Sequence, residues 1–112
     1  MQIDDEMKSI IDNVLSSALS GISNQWINMI VVRGGNPTED TIAEALFKNQ
    51  PVEFKVIQES KKYGLTSKNL MDAIKSYGIE HDMCRHCLND TIDDEIGDVI
   101  LQEALFGEYR YA

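Results

Sequence analysis

The spacing of apolar residues switches repeatedly along this chain, and that switching constrains the fold more than any single motif. Ile3, Met7, Ile10, Ile11, Val14, Leu15, Ala18 and Leu19 recur every three or four residues. That spacing, with Asp4 or Asp5 able to cap the start and Gly21 to end it, predicts an amphipathic helix over residues 5–20. WINMIVV, residues 26–32, is nearly continuous in apolar side chains and bounded by Gly34-Gly35, which predicts a strand buried on both faces. Asn36-Pro37-Thr38-Glu39 is helix-starting chemistry, with a capping side chain, a first-turn proline and an acid near the positive end of the dipole. Ile42, Ala45 and Leu46 would form that helix's apolar stripe, and Asn49 to Pro51 its stop.

In the second half, Val52, Phe54 and Val56 alternate with Glu53 and Lys55, the mark of a half-buried strand. QESKK would turn it into a returning strand at Tyr63-Gly64-Leu65. Thr66 or Ser67 would then cap a helix that turns Leu70, Met71, Ile74 and Tyr77 inward and stops at Gly78. After a loop at 79–90, Ile92, Ile96, Val99, Ile100 and Leu105 trace a last helix ending at Gly107, with 108–111 as a short terminal strand. Residues 1–112 thus read as a single α+β domain: a small antiparallel sheet of three to four strands packed against three to four helices.

Charge narrows the function. The chain carries ten Lys and Arg against nineteen Asp and Glu, a net charge of −9. Direct binding to nucleic acid or to an anionic membrane needs clustered cations and is not expected. A basic protein surface is a fitting partner, including one that ordinarily holds nucleic acid. Six of the ten cations (Lys48, Lys55, Lys61, Lys62, Lys68 and Lys75) fall in the middle third, leaving both terminal helices acidic. The stretch 90–109, DTIDDEIGDVILQEALFGEY, holds seven carboxylates and no Lys or Arg. Asp93, Asp94, Glu95, Asp98, Glu103 and Glu108 are therefore the candidate partner-binding residues, with Asp94 and Asp98 sharing a helix face at i, i+4. Were the two acidic helices neighbours, Asp4, Asp5, Glu6 and Asp12 would extend the patch.

Catalytic motifs are few. HDMCRHC, residues 81–87, offers His81, Cys84 and Cys87 as a weak alternative metal site. Cys84 and Cys87 have the spacing of half a zinc site, but no Cys or His elsewhere in the chain supplies the other half. Nor does a strand precede the pair, as in thioredoxin-like redox sites, so the stretch is expected to be a loop-to-helix segment with partly buried thiols. Arg33-Gly34-Gly35-Asn36 lacks the full spacing of a phosphate-binding loop and reads as a tight strand-to-helix turn. The helix at 67–77 follows a hairpin rather than another helix, which argues against a helix-turn-helix. No serine or cysteine lies in a nucleophile elbow, so neither enzymatic activity nor a cofactor is expected. The acidic N-terminus has no signal-peptide core and no apolar run approaches a membrane span, which together imply a cytoplasmic protein with reduced thiols.

One resemblance adds a setting. LSSALSGISNQWINMI, the hairpin running into YGLTSKNLMDAIKSY, and IGDVILQEALFGEYRYA together resemble a family of small uncharacterised acidic proteins of phages and mobile elements, mainly of gut and low-GC bacteria. The matching positions are Leu19, Ser20, Gly21, Ile22, Trp26, Leu65, Thr66, Gln102, Ala104, Leu105, Phe106, Gly107, Glu108 and Tyr111. The family's second glycine after Gly21 is absent, and Trp26 lies further along than the family's aromatic. The resemblance implies a bacterial host cell and a non-enzymatic inhibitor of host machinery, of the anti-defence or anti-CRISPR kind. Its acidic surface would compete for the basic groove of a defence nuclease. The alternative is a structural or accessory protein of a mobile genome that self-associates as a homodimer.

Overall fold

The computed structural model describes residues 3–33 and 35–111. Five α-helices and three strands follow the order α1 (Asp5–Leu19), β1 (Ile27–Val31), α2 (Glu39–Phe47), β2 (Val52–Val56), β3 (Lys62–Leu65), α3 (Ser67–Glu80), α4 (Arg85–Thr91) and α5 (Asp94–Phe106). A short 3-10 helix, Ile22–Gln25, joins α1 to β1. The α+β expectation holds. Among the described residues, no helix is long and apolar enough to cross a membrane. Gly34, half of the glycine pair expected to bound the first strand, lies outside the described residues.

Helix starts follow local chemistry. The Asp4 carboxylate accepts from the Met7 N–H at 2.8 Å, and Thr66 caps α3 through the Asn69 N–H at 3.1 Å. For α2 the cap is Thr38 rather than Asn36: Thr38 and Thr41 bond each other's backbone N–H reciprocally, at 3.2 and 2.8 Å. Pro37 therefore precedes the helix instead of lying in its first turn. Two expectations about the middle of the chain fail. Gly78 does not end α3; it is buried within a helix that continues to Glu80. The expected loop at 79–90 contains α4, a seven-residue helix with one buried side chain, Leu88, which leaves no apolar period to read.

The sheet is antiparallel in the order β1-β2-β3. Val52, Phe54 and Val56 of β2 are buried while Glu53 stays exposed, so this strand behaves as its alternation requires. β1 is a correction. It is an edge strand with Met29 and Val31 half exposed, at 50% and 42%, and its register slips between Ile27 and Met29. A continuous apolar run signals two-sided burial only where helices cover both faces of a sheet, and here β2 takes the centre. Residues 108–111 form no strand either; their backbone is held by a side chain, as described below.

The core lies where α1 crosses α2, α4 and above all α5. α1 and α5 run antiparallel, with Gly97 against Val14, Ser17 and Ala18 and the Asp94 carboxylate beside Gly21. A Cβ on Gly97 would come within 3.0–3.1 Å of the Ala18 nitrogen, the Val14 carbonyl oxygen and the Ser17 Cβ, so glycine sets how closely the two backbones approach. Gly97→Ala should destabilise the fold by about 1–3 kcal/mol, measurable as a lower urea midpoint with an unchanged m-value.

Candidate partner-binding surface

The six carboxylates expected to form one surface divide into four environments. Asp93 caps α5, accepting from the Ile96 N–H at 2.9 Å, and remains exposed. Glu95, also exposed, lies in the first turn, where the helix dipole favours it. Asp94 is turned towards the end of α1, 3.5 Å from the Ser20 hydroxyl. Glu108 lies past the far end of the helix and is paired with Arg110 at 3.3 Å.

Asp98 overturns the expectation for its position. It is 1% exposed and belongs to the core, not to a surface. Its Oδ1 accepts from the Ser23 hydroxyl and the Trp26 indole N–H, both at 2.7 Å, and its Oδ2 accepts from Gln102 Nε2 at 2.9 Å. The physical reason is the width of the covered face. α5 packs on both α1 and α3, burying Gly97, Asp98, Ile100, Leu101, Gln102 and Ala104. A carboxylate in that face loses its water, and three donors offset part of the loss. The i, i+4 relation to Asp94 holds along the helix, but the turn between them passes from solvent into the core.

Gln102 extends this network to the C-terminal tail. Its Nε2 also donates to the Tyr111 carbonyl at 2.8 Å, and its Oε1 accepts from the backbone N–H groups of Arg110 and Tyr111 at 2.9 and 2.6 Å. Gly107, at φ 77°, turns the chain back for this contact. Tyr111 then stacks on Trp26 at 5.9 Å, with Phe106 edge-on to Trp26 at 5.4 Å and to Tyr63 at 4.6 Å. Glu59 closes the cluster, accepting from the Tyr63 hydroxyl at 2.6 Å, from the Tyr111 hydroxyl and from Arg110 Nη1 at 3.2 Å. The tyrosine hydroxyls, Tyr111 foremost, hold the Glu59 carboxyl below its ordinary range. Sequence reasoning missed Ser23, Glu59 and Arg110. The readable signal was Trp26, whose indole N–H needs a partner once buried, and the Asp98/Gln102 pair set among apolar residues.

The remaining acids gather along the seam between α3 and α5. Burial first, then the negative charge of Asp93, Glu95, Glu103 and Glu80, pushes the hydroxyl of the Tyr77 ring up. His81 stacks on that ring at 4.0 Å and its Nδ1 contacts the Tyr77 carbonyl. At Glu103 a groove of about 330 Å³ is lined by Asn69, Asp72, Ser76 and Glu103, among others. Glu103 is half-buried, and its Oε2 is enclosed without a hydrogen-bond partner. Burial, then Glu80, raises its pKa, and His81 opposes them. Among the described residues no Lys or Arg pairs with Glu80, Asp93, Glu95 or Glu103.

The N-terminal acids do not extend this seam, although α1 and α5 are neighbours. Antiparallel packing puts the first turn of α1 about 20 Å from that of α5, at 1.5 Å per residue. Asp4 and Glu6 are moreover paired with Arg85, at 2.7 and 3.2 Å. Asp12 faces Asp40 instead, and burial followed by that neighbour raises its pKa. On the hairpin, Lys55 lies directly across from Lys62, while α3 itself carries Lys75 and Lys68, the latter paired with Asp72 at 3.0 Å.

The alternative metal ligands are not brought together as a cage. His81 is engaged with Tyr77, and Cys84 and Cys87 contact each other. Among the described residues no three His, Cys, Asp or Glu are grouped to hold a metal ion. Both thiols are exposed, against the expectation of partial burial, and Cys84 caps α4. The chain matches no protein-family model, no curated protein and no solved structure.

Asp98→Ala, which leaves the buried Ser23 and Trp26 donors unpaired and takes one acceptor from Gln102, should cost about 1–3 kcal/mol for each donor left unsatisfied. Asp98→Asn should cost less, because one oxygen still accepts from Ser23 and Trp26 while its amide opposes that of Gln102. Denaturation followed by the emission of the sole tryptophan, Trp26, measures both. For Glu103, a raised folded pKa means that the folded state binds its proton more readily, so stability falls as pH rises above the ordinary value of 4.5. Glu103→Gln should therefore be more stable than the parent at pH 7, with a higher Tm. That gain should vanish near pH 4; thermal melts at the two pH values test it.

Proposed function

We propose that this protein is a non-enzymatic protein ligand that presents the acidic α3–α5 seam to a basic partner surface. The observation that carries the reading is the set Glu80, Asp93, Glu95 and Glu103, gathered on adjoining helices and unpaired with Lys or Arg among the described residues. Like charges held together cost stability, and a cationic partner relieves that repulsion. The adjoining groove at Glu103 has room for a lysine or arginine side chain. Complementary potentials of this kind raise association rates and weaken with salt.

The resemblance to small phage proteins supplies the setting. The partner is a host protein in the bacterial cytoplasm, and the natural class is a defence nuclease, such as a CRISPR or restriction enzyme, whose basic groove receives nucleic acid. The protein would then act as an anti-defence inhibitor by competing for that groove. A second reading has its own support: the edge strand β1, with Met29 and Val31 exposed, offers unpaired backbone groups for a second copy. On that reading the protein is a self-associating accessory element of a mobile genome.

Capture from host lysate at low and high salt, with excess duplex DNA as competitor, tests the first reading. The captured protein should be lost with Glu80→Lys/Glu95→Lys, at high salt, and on adding DNA, and retained with the control Glu39→Lys/Asp40→Lys, which changes net charge equally. Capture indifferent to the seam variant would refute it. A dimer by light scattering that dissociates with Val31→Lys would favour the second.

A further inference from the structure

Cys84 and Cys87 lie where neither a zinc site nor the acidic seam makes use of them. Their sulfurs are 3.0 Å apart, about 1 Å beyond a disulfide bond length of roughly 2.05 Å. Cys84, the capping residue of α4, has extended backbone angles (φ −73°, ψ 167°). Its side chain is thereby folded over the first turn, where its sulfur accepts from the Cys87 N–H at 3.3 Å. Both thiols are exposed, and Cys84 lies on the rim of an open groove of about 260 Å³ beside Ile79, Met83 and Leu88. An incoming sulfur can therefore reach it.

From this geometry we infer that Cys84 and Cys87 form a thiol–disulfide exchange couple whose substrate is a disulfide. Cys84 is the attacking sulfur and Cys87 the resolving one. In the first step the Cys84 thiolate attacks one sulfur of the substrate. A Cys84–substrate bond forms, the substrate S–S bond breaks, and the departing thiolate takes up the proton that Cys84 released. In the second step Cys87 loses its proton through solvent to the second leaving thiolate and bonds to the Cys84 sulfur. The protein goes from dithiol to disulfide, and one substrate disulfide becomes two thiols, a transfer of two electrons.

The division of labour follows from the contact between the sulfurs. The Cys87 thiol, followed by its backbone N–H, stabilises the Cys84 thiolate and lowers that thiol, and the same contact raises Cys87. Asp90 pushes Cys87 further in the same direction. Arg85, next in sequence, is held by Asp4 and Glu6 from α1, and His86 by Asp90. This couple is independent of the acidic seam, and neither depends on the other.

The test uses the full chain equilibrated in glutathione and glutathione disulfide at a series of ratios, quenched with acid, alkylated and weighed intact. A species that takes up no alkylating agent should grow with the oxidised fraction and revert fully on reduction. Cys87→Ser should instead accumulate a glutathione mixed disulfide at Cys84. With limiting alkylating agent, peptide mapping of the reduced parent should find Cys84 labelled several-fold faster than Cys87. Cys84→Ser retains a good helix cap and serves as the folded control that forms no intramolecular disulfide. The inference is overturned if both thiols remain alkylatable at every ratio, if oxidation yields only double glutathione adducts or linked dimers, or if Cys87 labels first.

Discussion

The Asp98 carboxylate is held inside the fold by hydrogen-bond donors rather than by a cation, and much of the structure is arranged around it. Ser23 and Trp26 reach it from the segment after α1, and Gln102 from the next turn of its own helix. Burying a carboxylate is costly unless its lone pairs are met, so each donor must be held in place. Trp26 is fixed by packing against Phe106 and Tyr111, and Gln102 by the backbone of the tail. The 3-10 helix, the start of β1, α5 and the C-terminal tail are thereby tied to one point. Gly97, one residue earlier, lets α1 come close enough for that point to be enclosed.

This arrangement divides the acids by task. Asp93 caps a helix, Asp98 organises the core, Glu59 gathers two tyrosine hydroxyls and an arginine, and Glu108 shares that arginine. What remains at the α3–α5 seam is a smaller group than the composition suggests, but a better defined one. Of its members Glu103 lines the groove, and the hairpin lysines lie on a different element. Repulsion within the seam is tolerated because it is mostly solvated. Only Glu103 is drawn partly inside, and it bears the clearest mark of that position.

Several residues far apart in sequence meet in space. Trp26, Gln102, Phe106, Gly107 and Tyr111 come from opposite ends of the chain and form one clasp. Each has a physical task there: an indole donor, a side-chain amide using both its ends, two rings, and a left-handed turn. The clasp gives Gln102, Phe106 and Gly107 an architectural task, distinct from that of the seam carboxylates.

Local order was legible in the sequence because local interactions produce it. The three-and-four spacing gave α1 to within a residue, alternation gave β2, and Thr66 and Gly107 marked the ends of α3 and α5 through bonds spanning a few residues. α4 was not legible, since seven residues with one buried side chain carry no period. Nor was the exposure of β1, because an apolar strand reads the same at a sheet's edge and its centre until the partners are known. The fate of the carboxylates was decided entirely by tertiary structure. Asp94 and Asp98 are identical in type and share one helix, and only the packing of α1, the 3-10 helix and Trp26 around α5 leaves one in water and encloses the other. Composition fixes how much charge a chain carries, whereas long-range contacts fix which charges meet solvent, because desolvation depends on every element that covers a site.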